Sequence, residues 1–373
     1  MNFELTDEQR QMADSVNRYL NERYDFEARK KIIGSEAGLS DEVWRQLAEM
    51  GLLNIPFSED AGGFAGGAVD LMSAMQAAGA ALLVEPLLPN IIAGRLVDRM
   101  GSAVQKSAYL SPMMEGSVRL AFAQGEDGSR YNLSNVSTQA MRDAEGWILN
   151  GHKRVVYGAP NAQYLIVSAR TGQDGVSLFL VDAGAPGVKL SAYRTMDNQR
   201  AADVHLDNVR VSVDALVGQE GGALPFIEEA VDFGTALLCA EGVGAMQYAN
   251  DTTLEYLKTR KQFGVAIVTF QVLQHRMVDM VIATEQARSM CYLACSKVDG
   301  ARDAKERSRV VSAAKIKVAD SARLVSQEAI QMHGGIGMTD ELKVSHTFRR
   351  LTMLAQQWGD ADYHLERFAS LDK

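Results

Sequence analysis

Residues 256–280 read YLKTRKQFGVAIVTFQVLQHRMVDM. Lys258, Arg260 and Lys261 crowd ahead of a break at Gly264. Phe270, Val272, Leu273 and Met277 then resume a helical spacing, with Gln271, Gln274 and His275 between them. The stretch is one helix's end, a short basic turn and the start of another helix. Cations at such a corner, followed by the free amides of a new helix N-terminus, suit a phosphorylated ligand. A solvated basic turn has the same spacing.

Outward from this corner the helical period persists to the C-terminus. Amphipathic stretches cover Pro225–Thr259, Phe270–Asp299, Asp303–Met332 and Glu341–Leu371. Four such helices joined by short turns predict an antiparallel bundle. Upstream, from Val118 to about Gly218, the texture is different. VRLAFAQ, GWILNGHKRVVYG, YLIVSAR, VSLFLVD, GVKLSAY and ADVHLDNVRV are short β-rich segments between turn signals, and Asn150-Gly151 reads as a hairpin turn. Such spacing predicts a small antiparallel barrel or sandwich. Before Val118 the chain reads as helical. Thr6 and Gln9 form a capping box ahead of Met12, Val16 and Leu20, and Asp41 is placed to cap a second helix ending near Gly51. No Gly-Lys-Ser/Thr order follows the glycine-rich Pro56–Gly67, so it reads as a turn leading into helices over Ala68–Met114. The order is α+β: a helical domain over 1–116, a β domain over 117–222 and a helical bundle over 223–373.

Composition narrows the function classes. A chain of 373 residues, 47% hydrophobic with 7 prolines, is a folded protein of more than one compact unit. A formal charge of -9 and no long basic run argue against nucleic acid as partner. Cys239, Cys291 and Cys295 are an odd, sparse set, as expected of reduced thiols in a cytoplasmic protein. Glu4, Asp7, Glu8 and Arg10 precede any apolar run, which is unlike a signal peptide. Ala77–Leu88, interrupted by Glu85 and Pro86, is too short to span a bilayer.

The run R-K-Q-F-G at 260–264, with F-Q-x-x-Q-H at 270–275 and D-M at 279–280, resembles the corresponding segment of the acyl-CoA dehydrogenase flavoprotein family. The resemblance spans essentially the whole chain, and it implies FAD as cofactor and an acyl-CoA as substrate. Ala121–Arg130, AFAQGEDGSR, stands where the family has T-E-P-x-x-G-S-D: Gly128 and Ser129 fit, whereas Ala123, Gln124 and Gly125 depart. By resemblance, main-chain amides at Phe122 and Ala123 and the Ser129 side chain lie at the flavin ring. NGHKRVVY at 150–157 resembles N-G-x-K-x-W-I-T, with Val155 in place of a tryptophan that flanks the ring, Val156 beside it and Tyr157 in place of a threonine. HLDNVRV at 205–211 matches a late-strand marker. QMHGGIGMTDE at 331–341 resembles the family's Q-x-x-G-G turn. In the family that turn meets the adenosine diphosphate end of a flavin bound mainly by a neighbouring subunit. Gln331, Gly334 and Gly335 would join Arg260, Gln262, Phe263 and Gln271 there, and the arginine's planar fork suits a pyrophosphate. His333, with no second His or Cys at metal spacing, reads as a packed histidine.

The family's catalytic glutamate, in Y-E-G-T, aligns with Gln357-Trp358-Gly359-Asp360, so Trp358 replaces it. The second location known in the family aligns with Thr235. The next carboxylate, Glu241, sits among Leu238, Cys239, Ala240, Val243 and Met246. Poor solvation there would raise its pKa, which makes it the candidate base. A buried glutamate bonded to a neighbouring helix is the plainer alternative. Asp360 and Asp362, beside the lost position, are further candidates for the base, with a flavin-edge contact or a helix cap the plainer reading of Asp360. DFEARK at 25–30, CAEGVGAM at 239–246 and RLTMLxxxxGDADxHLxR at 350–367 resemble the small subunit of pimeloyl-CoA dehydrogenase. That branch implies a dicarboxylyl-CoA, for whose terminal carboxylate Arg130 and Arg154 are the available cations. It also implies an α2β2 heterotetramer with a large subunit in place of a homotetramer, and electron-transferring flavoprotein as acceptor. The alternatives are a half-site subunit without its own base and a monooxygenase or oxidase of the same fold.

Overall fold

A computed structural model describes residues 6–172, 175–300 and 303–371. Helix α1 (Asp7–Arg23) opens with the predicted capping box: Thr6 Oγ1 accepts from Gln9 N, and Gln9 Oε1 accepts from Thr6 N. The next helix, α2 (Phe26–Gly34), has Arg29 as its most buried side chain, which hides it from an apolar-period search. α3 (Asp41–Glu49) is capped by Ser40, whose hydroxyl accepts from Val43 N, so Asp41 is a first-turn acid and not the predicted cap. α4 (Ala68–Ala81) and α5 (Leu87–Met100) follow. α6 (Ala103–Gln105) then continues through a π turn at Lys106–Leu110 into α7 (Ser111–Met114).

Eight strands come next: β1 (Leu120–Ala123), β2 (Gln139–Arg142), β3 (Gly146–Tyr157), β4 (Tyr164–Thr171), β5 (Gly175–Asp182), β6 (Val188–Arg194), β7 (Arg200–Ser212) and β8 (Leu216–Val217). They form one sheet in the order β6-β7-β3-β2-β4-β5-β8, with β1 pairing to β4. The pairing is antiparallel as predicted except at β4, where both β1 and β2 pair in parallel. Asn150-Gly151 is not a hairpin turn. It lies within β3 at a register shift against β7, where a Cβ on Gly151 would land on the Thr138 hydroxyl. The dipeptide marks a bulge and a close approach.

The helical period returns in α8 (Leu224–Thr259), a two-stranded turn of β9 (Lys261–Gln262) and β10 (Val265–Ala266), α9 (Gln271–Gly300), α10 (Ala304–His333), α11 (Lys343–Gln356) and α12 (Ala361–Ser370). The predicted single helix over 341–371 is two helices. Its break lies at Trp358, with φ +55°, and Gly359, with φ +124°, and Asp360 caps the next helix by accepting from Tyr363 N.

The described chain divides into two compact units, and the N-terminal helices are shared between them. The helical unit draws on Met1–Lys30, Ala68–Leu83 and Thr235–Lys373. In it α4 and α8 cross backbone to backbone: a Cβ on Gly79 would land on the Glu241 carbonyl, and one on Gly244 on the Gln76 carbonyl. Residues 236–246 of α8 are buried throughout, as expected of a helix apolar on all sides. The sheet unit draws on Lys31–Gly67 and Val84–Gly234. Its core includes Trp147 and Phe179, whose ring centroids are 5.2 Å apart, packed with Leu149, Val156, Leu165 and Val167.

Candidate functional site

In the sheet unit, the loop after β1 and the bulged strand β3 are fastened together. Lys153, fully buried on β3, places its Nζ 2.6 Å from Glu126 Oε1 and 2.8 Å from Ser168 Oγ. Glu126 also accepts from the amides of Ser137 and Thr138 and from the Ser137 hydroxyl. Burial pushes the Glu126 carboxyl up, but Lys153 and these donors outweigh it and hold it at about 2. Burial brings Lys153 down to about 8, so both partners remain charged at neutral pH. One main-chain bond, Arg154 N to Gly125 O at 2.7 Å, closes the same seam.

Beyond that seam, Val155 has φ +51° and is 46% exposed. A β-branched residue in left-handed conformation is strained, and such strain persists only where its surroundings dictate it. Here Asp203 dictates it. Its carboxylate accepts from Val155 N at 3.1 Å and from Tyr193 OH at 2.9 Å, and it pairs with Arg154. Asp127 takes the Arg154 Nε at 2.9 Å, so Arg154 is committed within the protein and is not the expected cation for a terminal carboxylate. Val156 points the opposite way, into the sheet core. Phe122 is half-buried and Ala123 buried. The Ser129 hydroxyl is spent in its own turn, donating to Glu126 O at 2.9 Å and accepting from Glu126 N at 3.0 Å.

In the helical unit, the stack of Tyr256 on His333, with centroids 4.5 Å apart, and the Arg276–Glu328 ion pair bring three segments to one end. They are the C-terminal turns of α8 and α10 and the first turns of α9. Arg260, Gln262, Gln271 and Gln331 are exposed there, and Phe263 is 91% exposed with φ +53°. Among the described residues no carboxylate pairs with the Arg260 guanidinium. Gly334, with φ +64°, and Gly335 have nothing within 4 Å of where a Cβ would stand, which leaves a bare backbone surface open to an incoming group. His333 is buried as predicted: Nδ1 bonds the Ala329 carbonyl at 2.8 Å, burial holds its pKa down, and Nε2 has no partner among the described residues.

The candidate base stands differently from the expectation. Glu241 is buried, but both its oxygens accept from one guanidinium, Arg350 Nε at 2.5 Å and Nη2 at 2.8 Å. Such a bidentate clamp is the role of a structural carboxylate, not of one held free to take a proton from carbon. Thr235 is buried on α8 and Trp358 half-buried in its turn, so neither usual slot holds a carboxylate. Asp360 gives one oxygen to its helix cap. Arg350 was not singled out from the sequence, because nothing in a linear reading marks an arginine 109 residues from its partner.

Comparison with known proteins gives the same architecture. The acyl-CoA dehydrogenase N-terminal, middle and C-terminal domains match residues 6–117, 121–209 and 223–370. L-prolyl-[peptidyl-carrier protein] dehydrogenase of Serratia sp. (strain ATCC 39006) is 30% identical, over 92% of this chain and 90% of that one. Acyl-CoA dehydrogenase FadE12 of Mycobacterium tuberculosis is 31% identical over the same shares. The solved structure of PigA with FAD and proline superposes with a TM-score of 0.91 at 29% identity, covering 99% of this chain and 98% of that one. With both the sequence and the fold matched from end to end, the chain belongs to the acyl-CoA dehydrogenase family of oxidoreductases.

Proposed function

We propose that this chain binds FAD and serves the α,β-dehydrogenation of an acyl-CoA thioester to the trans-2-enoyl-CoA, with electrons leaving to an external acceptor such as electron-transferring flavoprotein. The observation that carries this reading is the buried Glu126–Lys153 pin. It fastens into one rigid frame the two segments assigned by resemblance to the flavin ring. The residues fit the cofactor. Val155 presents an aliphatic wall to a ring, and Arg260, paired with no carboxylate among the described residues, is a planar cation for a pyrophosphate. The amides opening α9 favour the same anion, and the open backbone at Gly334 and Gly335 admits close approach. When bound, FAD would supply the hydride acceptor of the reaction. Phe122 and Ala123 would contribute main-chain amides and Val156 would anchor its strand in the sheet core, while Ser129 would act through the turn that its hydroxyl holds.

A second reading is favoured by one observation: no carboxylate stands free at the Trp358 or Thr235 slots, and Glu241 is clamped. The chain would then be the flavin-framing subunit of a heteromeric enzyme, such as an α2β2 assembly acting on pimeloyl-CoA or a related dicarboxylyl-CoA, with the base on the partner.

The experiment is an anaerobic titration of the purified chain with acyl-CoAs of several lengths, pimeloyl-CoA included, following oxidised-flavin absorbance. Bleaching by one class supports a self-sufficient dehydrogenase. Bound flavin that bleaches only after a co-purifying chain is restored supports the heteromer. An absence of flavin that persists with the partner present refutes both, and oxygen uptake with a nitroalkane or a hydroxylatable substrate would indicate the same fold with another chemistry.

A further inference from the structure

Lys315 on α10 is fully buried, and among the described residues no carboxylate lies at ion-pair distance from it. Its three ammonium protons are shared among four backbone carbonyls instead: Leu354 at 2.7 Å, Ala355 at 3.3 Å, Gln357 at 2.9 Å and Gly359 at 3.0 Å. The first two are orphan acceptors at the C-terminal end of α11, where the helix dipole favours a cation. The last two flank Trp358. The Trp358 carbonyl is bonded by His364 Nε2 at 3.2 Å, and His364 Nδ1 is fixed by the Ser312 hydroxyl at 3.2 Å. Three successive carbonyls of the turn are therefore held by buried side chains from α10 and α12. The turn they hold is strained: an indole-bearing residue at φ +55° is rare, and a Cβ on Gly359 would strike His364. A cap that merely ended α11 would need only the first two bonds.

We propose that Lys315 is a positioning residue. Its buried ammonium fixes the Gln357–Asp360 turn and thereby sets the indole of Trp358 as a wall of the substrate site, which rests on the reading of that turn as part of the acyl-thioester site. The groups facing it are the Cys239 thiol on α8, which burial keeps neutral, and the charged Arg350 on α11 with its partner Glu241 and Asp360 at the start of α12. Burial brings Lys315 down to about 8, so the clip loses its charge in a range the protein can be studied in.

The test uses the FAD-loaded full chain labelled with 5-fluorotryptophan. The three tryptophans give three 19F resonances, and W358F assigns the one that matters. The expected result is a Trp358 line that titrates with a midpoint near 8 while Trp44 and Trp147 stay still. In K315M it should be shifted and independent of pH; in K315R, which keeps a cation, it should stay near its neutral-pH position. A Trp358 line that is flat from about pH 6.5 to about 9.5 in the native chain overturns the proposal. So does a folded K315M whose line superposes on the native one. If K315M does not fold, the native titration decides alone. The site reading fails separately: saturating octanoyl-CoA that leaves the Trp358 line unmoved, in a chain whose line does titrate, removes the substrate wall and leaves the clip.

Discussion

Removing one member of the Glu241–Arg350 pair separates the structural role of Glu241 from a catalytic one. Both side chains are buried, at 7% and 6% exposure, and the pair joins α8 to α11. Replacing Arg350 with leucine leaves the buried Glu241 carboxylate without the guanidinium that both its oxygens bond. Breaking a buried pair from one side costs about 3–5 kcal/mol. For a unit of this size each kcal/mol is roughly 2–4 °C, so the helical unit should unfold on the order of 10 °C earlier. E241L should cost a similar amount, because it takes the carboxylate away from a guanidinium that is only 6% exposed. The double variant E241L/R350L should recover most of the loss, since two apolar side chains can replace a buried pair at little net cost. The assay is thermal unfolding by far-ultraviolet circular dichroism, with anaerobic flavin reduction measured on the same samples. The reasoning is refuted if E241Q unfolds like the native chain yet no longer allows acyl-CoA to bleach the flavin. That outcome would make Glu241 the base after all.

Three further outcomes are expected. Glu126 lies at about 2 in the folded chain against 4.5 when unfolded, so its contribution is complete above about pH 4.5 and is lost as pH falls through 2. That is of order 3 kcal/mol. Unfolding free energies of native and E126Q proteins should therefore converge on acidification, and curves that stay parallel count against the pin. G244A places a methyl on the Gln76 carbonyl at the α4–α8 crossing. It should cost about 1–3 kcal/mol in urea denaturation, and a neutral result would mean the two helices are not in backbone contact. W358E puts a carboxylate on the held turn where the family's base stands. Stopped-flow flavin bleaching by an acyl-CoA should accelerate by on the order of 10²-fold, and no acceleration would mean the turn does not face the substrate.

Much of this molecule could be read in one dimension. The periods of 3.6 and 2 separated helical from sheet regions, and the Thr6–Gln9 capping box placed the first helix, because these signals are local and repeat. The R-K-Q-F-G and Q-x-x-G-G segments, read by resemblance as cofactor-facing, do lie together at one end of the helical unit. Local signals also misled. Asn150-Gly151 has the chemistry of a turn, yet the long pairing of β3 with β7 draws it into a strand as a bulge. The period over 341–371 continues through Trp358, because side-chain spacing does not register the carbonyl bonds that bend the chain there.

What the tertiary structure alone decided is which charges meet. Glu241 and Arg350 are 109 residues apart, Glu126 and Lys153 are 27 apart, and Lys315 meets the backbone carbonyls of a turn. The sequence by itself pointed to a buried Glu241, since a stretch of α8 apolar on all sides has little surface to offer water, and it is buried. Whether a buried carboxylate is a base or an anchor depends on the one group opposite it, and helix packing sets that group. The same holds for the Trp358 turn. Its residues follow from the sequence, but its rigidity comes from an ammonium and an imidazole that α10 and α12 deliver through space.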